Sequence, residues 1–225
     1  MVFLGMMMNS IITIDGPASS GKGTIAKKIA QHLGFHYLDS GAIYRAFGLW
    51  VEQNYPTVEP ELQQVIKLID VMNLSFINDK VMLNHHDVTE TLREERIGML
   101  ASKYGAIAEV RQKLLQFQRD FATQPGLVTD GRDMGSVVFP NAQLKVFLTA
   151  SAEQRALRRF QQLQLTNNNI KLNDVLQDIL SRDEADSKRA VAPLSYDASF
   201  KVLDNTNLDV TQTIEQILFW LKSSV

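Results

Sequence analysis

Apolar and polar positions along the chain fall into blocks that switch between a strand-like and a helix-like period. Ile11, Ile12, Thr13 and Ile14 form a short β-branched run, which predicts a buried strand. Ile25, Ala26, Ile29, Ala30 and Leu33 then recur at helical spacing and predict a helix over 22–33 that stops at Gly34. Phe35 to Leu38 read as a second strand. Asp39 or Ser40 is positioned to cap a further helix carrying Tyr44, Phe47, Leu49 and Trp50. Pro56 and Pro60 interrupt the chain, and Leu62, Val65, Ile66 and Ile69 predict a helix over 60–71.

The character then changes. Asn73 to Ile77 and Lys80 to Asn84, separated by Asn78-Asp79, predict a hairpin, with a third strand from Asp87 to Thr91. The helical period returns over 106–122 and stops at Pro125-Gly126. Strands are expected at Leu127 to Thr129, Leu144 to Leu148 and Lys201 to Leu203. Helices are expected at 152–164, 173–189 and 210–222, with a polar interruption from Thr166 to Lys171. This order predicts an α/β fold: a parallel sheet with helices on both faces and ligands at the carboxyl ends of its strands. One domain spans 1–225, with a small β-containing subdomain inserted at about 60–105 and a short lid at 155–175.

Composition narrows the possibilities. The 225 residues include no cysteine, which excludes disulfides, thiolate chemistry and cysteine-held zinc. The net charge of −2 weighs against a general nucleic-acid binder, so anion binding must come from local clusters of arginine. The opening MVFLGMMMNS lacks a basic region and a cleavage site, and it reads as a frayed tail before the first strand. A monomer in the cytoplasm, without membrane or nucleic-acid partners, is expected. His85 and His86 would point to opposite faces of one strand and cannot share a metal. His32 and His36 flank a helix end, and all four histidines read as structural or exposed.

The chemistry starts between the first strand and the first helix. Gly16, Pro17, Ala18, Ser19, Ser20, Gly21, Lys22, Gly23 and Thr24 follow the G-x-x-x-x-G-K spacing of a phosphate-binding loop. Glycines let the backbone N–H groups converge on an anion, and the helix start adds its partial positive charge. Lys22 is placed to reach the β- and γ-phosphates of ATP. Gly23 stands where Ser or Thr would hold Mg²⁺, so the metal has no direct protein ligand here and is expected through water near Asp130.

Further constellations surround this loop. Asp39, Ser40 and Arg45 open a helix at a strand end, where Arg45 can hold a second phosphate. Leu127, Val128, Thr129 and Asp130 look like a Walker B strand whose terminal carboxylate can orient Mg²⁺ or its waters, and Arg132 and Asp133 follow it. Arg155, Arg158 and Arg159 share one helix face beside the lid. Asp186 lies between Arg182 and Arg189 at i,i+4 and i,i+3, a spacing that can lock both guanidiniums. No N-K-x-D guanine signature is present.

Taken in order, ITIDGPASSGKGT, YLDSGAIYRA, TDGRDMGSVVFP and SRDEADSKRAVAPL resemble the signatures of the bacterial cytidylate kinases, nucleoside-monophosphate kinases of the P-loop NTPase class. The resemblance implies transfer of the γ-phosphoryl of ATP to CMP or dCMP, with Mg²⁺. It implies that Gly16 to Thr24 bind ATP and that Ser40, Arg45 and Arg132 hold the phosphate of the acceptor. Ser102, Arg111 and Asp133 would surround cytosine, with Arg182, Asp186 and Arg189 on the ribose side. Arg155, Arg158 and Arg159 would screen the transferring phosphoryl. The polarity of cytosine agrees. Its 4-amino group donates to a carboxylate such as Asp133, and its N3 accepts from Arg111 or Ser102, whereas uracil reverses both.

Overall fold

The computed structural model describes residues 10–77, 80–164 and 170–223. In chain order it runs β1 (Ser10–Asp15), α1 (Lys22–Leu33), β2 (His36–Asp39), α2 (Ser40–Asn54), α3 (Leu62–Val71), β3 (Leu74–Ile77), β4 (Lys80–Leu83) and β5 (His86–Asp87). It continues through α4 (Glu95–Gly105), α5 (Ala108–Arg119), β6 (Gly126–Gly131), β7 (Leu144–Thr149), α6 (Ala152–Gln164), α7 (Leu172–Ser187), β8 (Lys201–Asp204) and α8 (Val210–Ser223). Residues 1–9 of the expected tail, the Asn78-Asp79 turn and residues 166–169 of the polar interruption, which fall within the expected lid, lie outside the described residues, while Ser10 of that tail belongs to β1. The chain divides into two compact units, one of residues 1–38 and 121–225 and the other Asp39–Asp120. The insert expected at 60–105 falls inside the second unit.

In the first unit, a five-stranded sheet has the order β2-β6-β1-β7-β8. β1 lies at its centre, parallel to β6 from Ser10↔Gly126 to Asp15↔Gly131 and parallel to β7 from Ile12↔Leu144 to Asp15↔Phe147. β7 pairs parallel with β8. Side chains alternate across β1. Ile12 and Ile14 enter a core with Val128, Val146 and Leu148, closed by Ile25 and Ile29 of α1 and Ile217 and Leu221 of α8. Thr13 faces the other way, toward Gly135 and Phe200. The central strand is therefore dry on both sides, which is why it reads as a continuous apolar run. α6 and α7 pack on each other through Ala156, Val175 and Ile179.

The second unit holds a three-stranded antiparallel sheet, β3-β4-β5. Its third strand differs from the sequence expectation of Asp87 to Thr91, being His86–Asp87. Val88 still donates to the Val81 carbonyl, but the Thr89 hydroxyl then accepts from the Val81 N–H and donates to Asp87 Oδ1. A side chain thus takes the place of the next backbone partner, and the ladder stops. His85 is in the preceding turn with φ 69°, not in a strand. α4 is an element the apolar pattern did not announce: Gly98 and the exposed Met99 blur its stripe, while Ile97 and Tyr104 anchor it. The expected helix over 106–122 is shorter, starting after the break at Ala106-Ile107.

α2 meets α4 where Gly48 is buried, and a Cβ there would lie 2.8 Å from Leu100 Cβ and 3.2 Å from its carbonyl carbon. Gly48→Ala gains about 1 kcal/mol of helix propensity. The overpacking costs about 1–3 kcal/mol, because both colliding groups are held by backbone. The expected outcome is a net loss of stability, read as a lower urea midpoint at unchanged slope; a midpoint at or above wild type would contradict the close approach.

Candidate active site

β1 ends at Asp15, and the chain turns through Gly16–Ser20 into α1. A Cβ on Gly16 would stand 2.0 Å from the carbonyl oxygen of Leu148, so only glycine passes this close to β7. Gly21, the N-cap of α1, has φ 89°, and no side chain caps the helix start. Its leading N–H groups and the positive end of its dipole therefore face the loop. Lys22 is buried, and its Nζ donates to the Pro17 carbonyl at 3.0 Å, across the loop.

Asp130 belongs to β6, which runs on to Gly131, one residue further than the strand ending in this carboxylate that the sequence suggested. Tyr37 Oη donates to Asp130 Oδ1 at 2.8 Å. A Cβ on Gly23 would lie 3.4 Å from Tyr37 Oη and 3.7 Å from both Asp130 oxygens. The carboxylate thus stands beside the position where a Ser or Thr would follow the lysine. Among the described residues no three His, Cys, Asp or Glu side chains form a metal-binding group.

Sequence reading missed Asp15. Its carboxylate is fully buried and accepts from the backbone N–H of Met134 at 2.9 Å and of Gly135 at 2.7 Å. It thereby holds the π-helical turn Met134–Val138, which follows Arg132 and the buried Asp133. Gly135 fits because a Cβ there would come within 2.6 Å of Thr13 Oγ1 and 2.8 Å of Phe200. Burial pushes the Asp15 carboxyl from 3.8 up to about 6; the Gly135 and Met134 N–H groups pull against this, Asp133 adds to it and Lys22 opposes it.

The arginines arrive already paired. Arg132 Nε donates to Asp186 Oδ2 at 2.6 Å, and Arg189 donates to the other oxygen of the same carboxylate. Arg132, distant in sequence, thus joins Arg189 on this carboxylate, and Arg182 is half-buried on α7. Burial pushes the Asp186 carboxyl up, but Arg132 and then Arg189 outweigh it and hold it below the usual range. Arg155 is buried and binds Asp183 with both terminal nitrogens, at 3.1 and 2.6 Å, while also donating to the carbonyls of Ala150 and Ala18. Arg158 donates to the Ser20 carbonyl at 3.2 Å and to both oxygens of Asn205. Two of the three arginines expected at the lid therefore grip the backbone of the phosphate loop. Arg159 is half-buried on the same helix.

The remaining candidates are in the second unit. Asp39, not Ser40, caps α2, accepting from the Ala42 N–H at 3.1 Å, and Ser40 is buried beside it. Arg45 is half-buried one turn on. Arg111 is buried, donates to the Gly105 carbonyl at 3.1 Å and lies 5.4 Å from the centre of the Tyr44 ring. Ser102 is on the exposed side of α4. Asp15, Tyr37 and Asn205 went unnoticed in the sequence, and Asp183 was noticed only among its neighbours on α7, not as the partner of Arg155. Asp15 and Asn205 had one available signal, a polar residue at the carboxyl end of an apolar strand.

A family model described as Cytidylate kinase matches residues 12–223. A cytidylate kinase from Chromobacterium violaceum is 46% identical over 212 residues, covering 94% of this chain and 95% of that protein. A cytidylate kinase from Burkholderia multivorans is 46% identical over 213 residues, covering 95% of this chain and 93% of that protein. Among solved structures, an uncharacterized protein from Eubacterium ventriosum aligns with a TM-score of 0.55 at 15% identity, covering 96% of this chain and 99% of that one. It shares the fold.

The Asp15 carboxyl makes stability depend on pH. Its value is raised in the folded state, so its contribution is fully present below about 3.8 and is lost as pH rises through about 6. Asn cannot ionise. Urea unfolding at pH 4.5 and pH 7 is expected to show Asp15→Asn gaining about 2 kcal/mol relative to wild type over that interval. A stability difference that does not change with pH would contradict the buried anion.

Proposed function

The chain belongs to the cytidylate kinase family, and from that premise we propose how its residues transfer the γ-phosphoryl of ATP to CMP or dCMP, giving ADP and CDP or dCDP. The observation that carries the assignment is the phosphate loop on β1 and α1, with Lys22 at its mouth, inside a match that spans nearly the whole chain. Gly16 to Thr24 take the triphosphate, and Lys22 exchanges the Pro17 carbonyl for phosphate oxygens. The acceptor is already a phosphate oxygen, so no general base is required. The protein supplies position and positive charge.

Arg132 is assigned to the phosphate of CMP, with Ser40 and Arg45. Asp39 serves that assignment indirectly, by capping the helix that carries both. Asp186 holds the guanidiniums of Arg132 and Arg189 in fixed orientations, and Arg182 joins them on the ribose side. Asp133 accepts from the cytosine 4-amino group, and Arg111 and Ser102 are assigned to the rest of the base. Arg155 and Arg158 act through the loop backbone they hold, and Arg159 screens the transferring phosphoryl. The residues fit a Mg²⁺ held through water and phosphate oxygens, since Asp130 offers one carboxylate and Gly23 no hydroxyl. Bound there, Mg²⁺ would neutralise charge on the β- and γ-phosphates. Two substructures, the insert at 60–105 and the lid at 155–175, are assigned to acceptor binding and to exclusion of water. Among the described residues no helix is long and apolar enough to cross a membrane. The cytoplasm as compartment and a monomer as working unit complete the proposal, the latter measurable by light scattering.

Turnover of CMP, dCMP, UMP and AMP with ATP tests the assignment. CMP and dCMP are expected to exceed UMP and AMP by at least tenfold in kcat/KM. Asp133→Asn is expected to lower kcat/KM for CMP by about 5- to 150-fold, the equivalent of about 1–3 kcal/mol for a mispaired buried group. Equal turnover of UMP would remove the cytosine assignment. Lys22→Ala is expected to cut kcat by about 100-fold or more; an unaffected rate would remove the loop from the chemistry.

A further inference from the structure

Asn205 follows β8 directly and is 4% exposed. All of its hydrogen-bonding groups have partners. Its N–H donates to the Thr149 carbonyl at 2.8 Å, and its Oδ1 and backbone carbonyl accept from Arg158 at 3.0 and 2.9 Å. Its side-chain Nδ2 donates to the Ser20 carbonyl at 3.0 Å. Arg158 Nη1 reaches that same carbonyl at 3.2 Å. One residue therefore joins the ends of β7 and β8, and its side chain links the helix α6 to the phosphate loop.

The consequence lies in the peptide between Ser20 and Gly21. A trans peptide is planar, and its C=O and N–H point in opposite directions. With the Ser20 oxygen held by two donors on one side, the Gly21 N–H must point the other way, away from Asn205 and Arg158. Gly21 at φ 89° sits in the backbone region where such a peptide can rotate with little steric resistance. A free glycine peptide would lose donor orientation, and a cradle of N–H groups works only if each is aimed before the anion arrives.

We propose that Asn205 is a positioning residue for the phosphate donor: it fixes the Gly21 N–H toward the triphosphate by holding the Ser20 carbonyl on the opposite side. The inference rests on the assignment of Gly16 to Thr24 to ATP. It predicts an effect confined to the donor nucleotide, because Asn205 acts only through the Ser20 carbonyl of that loop.

Asn205→Asp separates the two bonds. A carboxylate keeps the acceptor for Arg158, but it cannot donate to the Ser20 carbonyl and repels it. Asn205→Ala removes both side-chain bonds. Steady-state kinetics are expected to show KM for ATP about tenfold higher in both variants, with KM for CMP within twofold of wild type. The rise in melting temperature caused by ATP is expected to shrink, and the rise caused by CMP to persist. An Asp variant with the wild-type KM for ATP overturns the proposal, as does an equal rise of both KM values, which would mark general damage to the fold. Lys22→Ala, assayed in parallel, distinguishes the levels of failure. If it is impaired while the Asn205 variants are not, only the role of Asn205 falls. If it too is unaffected, the assignment of the loop falls with it.

Discussion

A buried carboxylate at the end of the central strand is the constraint from which the arrangement of the first unit follows. Asp15 is the last residue of β1, and the phosphate loop leaves directly from it. Its two oxygens take the N–H groups of Met134 and Gly135, which leave β6 on the next strand. Two loops that emerge side by side from a parallel sheet are thereby fixed to each other through one side chain. An anion without solvent is costly, and burial accordingly raises the Asp15 carboxyl above its ordinary value. Two short charge-assisted bonds to backbone N–H groups offset part of it. What the molecule gains is the fixed placement of Arg132 and Asp133 relative to the loop that starts at Gly16.

The same logic governs the arginines. Ordering a flexible long side chain costs about 0.5–1.5 kcal/mol. Here Arg132 and Arg189 are fixed by Asp186, Arg155 by Asp183, and Arg158 by Asn205. Their conformational entropy is lost on folding. The pairing also lowers their net charge, so the field at each position is set by the balance of carboxylate and guanidinium and not by a count of arginines.

The phosphate loop extends this economy to the backbone. Ala18 and Ser20 have their carbonyls held from outside the loop, by Arg155 and by Arg158 with Asn205. Each carbonyl that is drawn outward leaves the N–H of the same peptide facing the other way. Side chains from α6 and from the end of β8 therefore determine where the donors of a glycine-rich loop point.

The sequence by itself determined the elements whose signal is local. The run at Ile11 to Ile14, the period of α1 and the glycine and lysine spacing that joins them were all legible, because strand burial, helix amphipathicity and the phosphate cradle each depend on a few consecutive residues. The spacing of Asp186 and Arg189 was legible for the same reason. Tertiary structure alone decided what lies far apart in the chain: Arg132 as a partner of Asp186, Asp183 beneath Arg155, Asn205 on the Ser20 carbonyl, and Asp15 under the turn at Met134. It also decided that the third strand of the small sheet stops at Asp87, since the hydroxyl that ends it belongs to a residue that pattern alone favours as strand. A hydrogen bond between distant residues leaves no periodicity in the sequence, and only the packing of the sheet brings its donor and acceptor together.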